Sequence, residues 1–283
     1  MKITNFLLRL KLQKGIGYVK MLQVASQLQL ADIDIQTIKN LNLTSNLIKV
    51  CLNAYNDRYA DKMIRRIEKQ CRVISFFDVE YPEKLRQIYQ PPLILFLQGN
   101  LELLQQKIVT IVGSRQATNY SNLVLNKLVP NLIKDDFIIA SGLAKGVDVM
   151  AHKAALKFNG QTIAVVGNGL NHFYPQINQH VQKEIAQKGL LVSEYLPDTP
   201  PRPYRFPQRN RILAGIADSV IVTEAKQKSG SLITANLALQ ENRDIYALPG
   251  PITSELSQGP NKLIQAGAYP ITGFDLQLER FDN

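Results

Sequence analysis

From Pro200 to Arg211 the chain reads Pro-Pro-Arg-Pro-Tyr-Arg-Phe-Pro-Gln-Arg-Asn-Arg: four arginines and two aromatic rings in twelve residues, with no carboxylate between Asp198 and Asp218. Cations interleaved with rings suit an unstacked single strand, because guanidinium groups meet phosphates while a π-face meets a base. The prolines predict a stiffened loop that leads into a helix. Within it, Phe206 is either a stacking surface or a plug that holds the loop to its domain.

Three further segments carry the same chemistry. Gly113-Ser114-Arg115 follows an apolar run and offers close backbone approach, a hydroxyl and a planar fork for two phosphate oxygens, before a helix expected near Ser121. Ser141-Gly142-Leu143-Ala144-Lys145-Gly146 repeats the arrangement, a small-residue turn feeding a helix from Val147. Free N–H groups and the helix dipole favour an anion at such a place. Lys228-Ser229-Gly230-Ser231 precedes a helix expected from Leu232, with Ser231 as its N-cap. Asp148 and His152, four apart, share a helix face; the spacing fits an acid/base pair, or a carboxylate that orients an imidazole.

These segments need strands to present them. Apolar runs at 108–112, 137–141, 162–166, 190–194, 219–223 and 244–247 alternate with helical patterns, which predicts a mainly parallel sheet covered on both faces. Ligands then belong at the carboxyl ends of the strands. Val73–Phe77 and Pro91–Phe96 form a lead-in to that sheet. Residues 1–72 carry apolar positions at three- and four-residue spacing and read as a small helical domain, leaving 73–283 as the α/β domain. Lys14-Gly15-Ile16-Gly17 is a tight turn between two helices, and Lys62, Arg65, Arg66 and Lys69 gather on one side of another.

The chain has 283 residues and a formal net charge of +10, which points to a polyanionic partner. Residues 1–72 hold 13 Lys/Arg against 5 Asp/Glu, and the remainder 20 against 18. Cys51 and Cys71 lack metal-ligand spacing and read as buried thiols, so no metal is expected. GxGxxG and GxxxxGK[ST] are both absent. Gly167-Asn168-Gly169 is only a fragment of the first, so no cofactor is expected. There is neither a membrane-length apolar run nor a secretory leader pattern, and a cytoplasmic location is expected.

In order and spacing, these segments resemble the DNA-processing protein A (DprA/Smf) family: GSR (113–115), SGLAKGVD with AHKAAL (141–156), GNGL with YP (167–175), SE (193–194), FPQRNRILAG (206–215), EAKQKSGSLITA (224–235), ALPG (247–250) and GPNKLIQAGA (259–268). The resemblance implies an extended Rossmann-like sheet with a sterile-alpha-motif or helix-hairpin-helix-like N-terminal domain. It implies a homodimeric, non-enzymatic protein that binds and protects single-stranded DNA and loads a RecA-class recombinase during natural transformation, with a regulatory partner possible on the helical domain. The implied DNA pocket comprises Arg115, Lys145, Phe206, Arg209, Asn210, Arg211 and Lys228, with backbone contacts from Gly113, Ser114, Ser141, Gly142, Gly146, Ser229, Gly230 and Ser231. Contacts attributed to the winged-helix module of some relatives are expected to be absent. The rival reading is a nucleoside monophosphate hydrolase like the lysine-decarboxylase-like (LOG) proteins, with Asp148, His152 and Glu224 moving protons. Against it, Lys228–Leu232 stands where those enzymes carry PGGxGTxxE.

Overall fold

A computed structural model describes residues 1–28, 32–276 and 278; residues 29–31, 277 and 279–283 lie outside the described residues. Five helices come first: α1 (Ile3–Leu12), α2 (Tyr18–Ala25), α3 (Ile35–Lys39), α4 (Ser45–Asn56) and α5 (Arg58–Glu68). Thr44 caps α4 by accepting from Leu47 N, and Asp57 caps α5 by accepting from Tyr59 N and Ala60 N. Arg9 is buried among them, donating to the carbonyls of Ala54, Tyr55 and Asp57 and pairing with Asp61. That cation is spent on joining α1 to α4 and α5.

The lead-in contributes β1 (Arg72–Ser75), α6 (Glu83–Arg86) and β2 (Ile94–Gly99). Then come β3 (Ile108–Val112), α7 (Asn119–Lys134), β4 (Ile138–Ser141), α8 (Val147–Lys157), β5 (Thr162–Val166), α9 (Gln179–Lys188) and β6 (Leu190–Ser193). The chain continues through α10 (Arg205–Ile216), β7 (Ser219–Val222), α11 (Gly230–Gln240), β8 (Asp244–Ala247), α12 (Gln258–Gln265) and β9 (Tyr269–Pro270). The strands lie in one sheet in the order β1-β2-β6-β5-β4-β3-β7-β8-β9. β2 is antiparallel to both β1 and β6, and every other pairing is parallel. This is the expected α/β, Rossmann-like architecture. The short β9, which contains Pro270, gave no strand-like run to read.

Alternate residues of each strand enter opposite cores, as a period of two requires. Val109 and Ile111 pack with α7 and α8, whereas Ile108 and Val112 face the layer of α6, α10 and α11. The N-terminal helices close the first face beside α9: Phe6, Leu7, Leu10 and Ile64 share one buried cluster with Phe96, Ala164 and Leu191 of the sheet. Cys51 and Cys71 are buried and free, and burial pushes both thiols up to about 11.

The sheet order determines where a ligand site can form. β3 is flanked by β4 and β7, and the chain winds outward from it in both directions. A crevice therefore opens at the carboxyl ends of β3 and β7, the point at which strand order reverses.

Candidate functional site

A cavity of about 420 Å³ occupies that crevice. The turn after β3 supplies Gly113, Ser114 and Arg115, the first turns of α10 supply Phe206, Arg209 and Asn210, and the turn into α11 supplies Lys228, Ser229, Gly230 and Ser231. A second recess of about 190 Å³ shares Arg115, Ala144 and Phe206 with it and adds Gly142, Lys145 and Tyr174. The N-terminal turns of α10 and α11 both border the cavity, so two dipoles and the first N–H groups of α11 face the same space, whereas Arg205 N and Phe206 N at the start of α10 donate to Arg202 O and Pro203 O.

Arg209 forms the floor. Only 5% exposed, it donates through Nη1 to Gly142 O at 2.7 Å and to Val165 O, and so ties together the ends of β4 and β5. Its guanidinium and the Asp148 carboxylate converge over Gly142, where a Cβ would lie 2.3 Å from Arg209 Nη2 and 2.5 Å from Asp148 Oδ2. Burial pulls the guanidinium down to about 10 against the opposing pull of Asp148. Burial likewise pushes the Asp148 carboxyl above its usual range, opposed first by Arg209. The turn between them is braced by Asn178 Nδ2, which donates to Leu143 O at 3.0 Å and Ala144 O at 3.2 Å. Gly146, at φ +75°, starts α8 where a Cβ would meet Ser114 O at 2.1 Å.

The rim is basic and aromatic. Arg115, Lys145 and Lys228 are exposed and form no ion pair among the described residues, while Lys226 is held by Glu255 at 2.6 Å. Tyr174 stacks on Phe206 with centroids 5.1 Å apart and planes inclined by 28°, and the Arg115 guanidinium lies 5.9 Å from the Phe206 centroid. Gly167 permits this arrangement, since a Cβ there would stand 2.8 Å from Phe206 Cδ1. Ser229 Oγ is buried and meets no partner among the described residues.

Several site expectations need correction. Arg211 points to the other side of α10, where it pairs with Glu194 at 2.8 Å and lies 5.8 Å from the Tyr18 ring centroid. Ser141 is fully buried and donates to Ile111 O at 2.6 Å, fastening β4 to β3. Gly113 does line the cavity, and packing also requires it, since a Cβ would meet Val147 Cγ2 at 2.3 Å. The helix expected after the arginine-rich loop already starts at Arg205, so Phe206, Arg209, Asn210 and Arg211 are helical and fan out around its axis. α11 starts at Gly230, with Ser229 at the N-cap position and no side-chain cap bond.

The proposed proton-transfer residues are engaged elsewhere. His152 is fully buried and bonds Thr162 Oγ1 at 2.7 Å, not Asp148. Because Thr162 Oγ1 donates its proton to Ile139 O at 2.6 Å, it must accept from His152 Nδ1, which leaves Nε2 bare and unpartnered. A proton on Nε2 would be buried without an acceptor, and the imidazole is pushed down to about 3 by burial and by Arg209. Glu224 accepts from Thr118 N, Thr118 Oγ1 and Ser121 Oγ at 2.7–2.8 Å, pinning the start of α7 to the end of β7. Tyr174 and Asn178 were missed as site residues. Tyr174-Pro175 was visible only as a loop marker, and nothing in local spacing connects it to Phe206.

Residues 72–282 match the family model described as DNA recombination-mediator protein A. The chain is 45% identical over 208 residues to the DNA processing protein DprA of Streptococcus pneumoniae, covering 74% of this chain and 73% of that protein. It is 41% identical over 205 residues to the Bacillus subtilis DNA processing protein DprA, covering 72% of this chain and 69% of that one. The solved Streptococcus pneumoniae structure superposes with a TM-score of 0.84 at 38% identity, over 97% of this chain and 96% of that chain. A Helicobacter pylori DNA processing protein A, whose structure is described for its single-stranded DNA binding mode, superposes with a TM-score of 0.66 at 34% identity, over 72% of this chain and 92% of that chain.

Proposed function

The chain belongs to the DNA recombination-mediator protein A family, and from that premise we propose that it binds single-stranded DNA at the strand-end cavity without reading its sequence. The observation that carries this reading is the convergence of Arg115, Lys145 and Lys228, all without ion pairs among the described residues, around the Tyr174–Phe206 stack. Phosphates would meet the rim cations and the first N–H groups of α11, above the buried charge of Arg209. A base would extend the aromatic stack, a contact open to every base because each has a π-face.

The same reading takes the protein as a binder and not a catalyst, since Asp148, His152 and Glu224 are each occupied in holding the fold. Protection of the strand, loading of a RecA-class recombinase, homodimerisation, a regulatory partner on a helical module spanning 1–72 and a cytoplasmic setting belong to it as well. Among the described residues no helix is long and apolar enough to cross a membrane, and no cluster of metal-ligating side chains occurs.

Fluorescence anisotropy with a labelled single strand and the matching duplex, at two ionic strengths, tests this. The strand should bind more tightly than the duplex, and its affinity should fall with salt. Equal affinity for both would refute the reading. Release of free base from nucleoside monophosphates, abolished in Glu224→Ala, would replace it with hydrolysis.

A further inference from the structure

Across α10 from the strand-end cavity lies a larger groove, about 910 Å³, between the first two helices and the sheet domain. Lys11 and the Gly17-Tyr18 turn line one wall, and Tyr195, Tyr204, Arg205 and Arg211 line the other. The cations facing it are Lys11, Arg205 and Arg211, and the carboxylate is Glu194. Glu194 is taken by Arg211 at 2.8 Å. Arg205 donates to Pro200 O, with its guanidinium 4.8 Å from the Tyr195 centroid and 5.5 Å from that of Tyr204. Lys11 makes no hydrogen bond or ion pair among the described residues. Its surroundings lower the ammonium pKa through burial, with Glu194 opposing and Arg211 reinforcing. Lys11 is half-buried and without a partner among the described residues, and a phosphate oxygen entering the groove would supply the opposite charge it lacks.

The groove also has rings. Tyr204 is 59% exposed, Tyr18 is held at its hydroxyl by Pro91 O at 3.2 Å, and Tyr195 by Gln208 Oε1 at 3.1 Å. Both hydroxyl tethers leave the ring faces in place. The groove and the strand-end cavity meet at one shared lining residue on the surface of α10. The exposed Pro207 lines both, and α11 presents Gly230 and Thr234 to one and Ile233 and Leu237 to the other. Between them α10 packs along α11, Ala214 sharing a buried cluster with Ala235 and Ala238, and near the N-termini Asn210 Nδ2 donates to Gly230 O at 3.3 Å.

We infer that this groove is a second station for the same single strand, which leaves the cavity over Pro207, sets a phosphate against Lys11 and stacks a base on Tyr204. The inference rests on the proposed function of the cavity. An acidic peptide would use the cations but leave the tyrosine faces unused, so the combination favours nucleic acid. It also gives the basic N-terminal segment a defined point of contact with the strand, at the Lys14–Gly17 turn and the end of α1.

The test is anisotropy with oligothymidylates of stepped length on the full chain, as wild type, Lys11→Gln and Tyr204→Ala. Melting temperatures verify folding, and the exposed Tyr204 keeps the test valid should Lys11→Gln fold poorly. The shortest bound oligomers should not distinguish the three proteins. With longer ones the wild type should tighten, and each variant should lose affinity by roughly tenfold, the scale of one stacked base or one paired phosphate. If all three tighten equally with length, the groove is not on the path of the strand. If the wild type binds no oligomer of any length, the reading of the cavity itself falls, and this inference falls with it. A phosphorylated acidic peptide that binds wild type and not Lys11→Gln, with strand affinity indifferent to Lys11, would assign the groove to a protein partner and overturn the inference.

Discussion

The first 72 residues carry 13 Lys/Arg against 5 Asp/Glu, and the rest of the chain 20 against 18, yet the nearly balanced part builds the more concentrated cationic site. In the helical segment Arg9 is buried between helices, Arg66 pairs with Asp198 at 3.4 Å and Arg72 with Glu80 at 3.2 Å. Lys62 and Arg65 are exposed on α5. At the strand ends Arg115, Lys145 and Lys228 come from three separate turns and converge on one crevice. Net charge counts partners that are already taken, whereas binding depends on cations that topology brings together and leaves unpaired.

The largest test of this contrast removes the floor of the site. Arg209→Leu leaves Gly142 O and Val165 O without their donor and removes the stronger of the two cationic influences, Arg209 and Arg115, that act on Asp148. Urea unfolding should show a loss of about 2–6 kcal/mol, as for two buried carbonyls each left without a donor. A loss below 1 kcal/mol would mean that Arg209 is dispensable to the floor.

Next in size is an acid sensitivity beneath the site. Unfolded, His152 takes up a proton near pH 6.5, and folded only near pH 3. The unfolded state therefore binds the extra proton between those values, and stability falls as pH falls through that window, by a few kcal/mol at most. Asp148, with its raised pKa, acts in the opposite sense, so the comparison must be made against His152→Gln, in which the histidine contribution is gone. Parallel stability curves for wild type and variant between pH 6.5 and 3 would refute the buried neutral imidazole.

Smaller effects bear on the rim. Phe206→Ala should weaken single-strand binding by roughly 1–3 kcal/mol in an anisotropy titration with little change in its salt dependence. Unchanged affinity would make Phe206 a packing residue. Lys62→Gln with Arg65→Gln should shift the same affinity by less than about 0.5 kcal/mol, since these exposed charges lie outside both recesses. A larger shift would move part of the site onto α5.

Much of this arrangement was legible before the coordinates. Val/Ile-rich runs buried on both faces gave the strands, and small-residue turns after them gave Arg115, Lys145 and Lys228. Rotation about a helix axis was not legible. Arg209 and Arg211 are two apart in sequence, and on a helix that separation sends one under the cavity and the other to Glu194 and Tyr18. Reading 200–211 as a loop hid this divergence. Nor could spacing foresee Tyr174 against Phe206, because that contact depends on tertiary placement of two distant segments and on the room left at Gly167. The Asp148/His152 pairing failed for a related reason: the imidazole found a closer hydroxyl on the neighbouring strand, at Thr162.

The central claim is most directly tested by the slope of log affinity for a single strand against log salt concentration, measured for the Arg115→Ala, Lys145→Ala, Lys228→Ala triple variant and for a triple variant of Lys62, Arg65 and Lys69 to Gln. Each lost phosphate contact should flatten the slope by about 0.7, so the first should flatten it by roughly 2 and the second should leave it near the wild-type value. Equal flattening in both, or flattening in the second alone, would contradict the account.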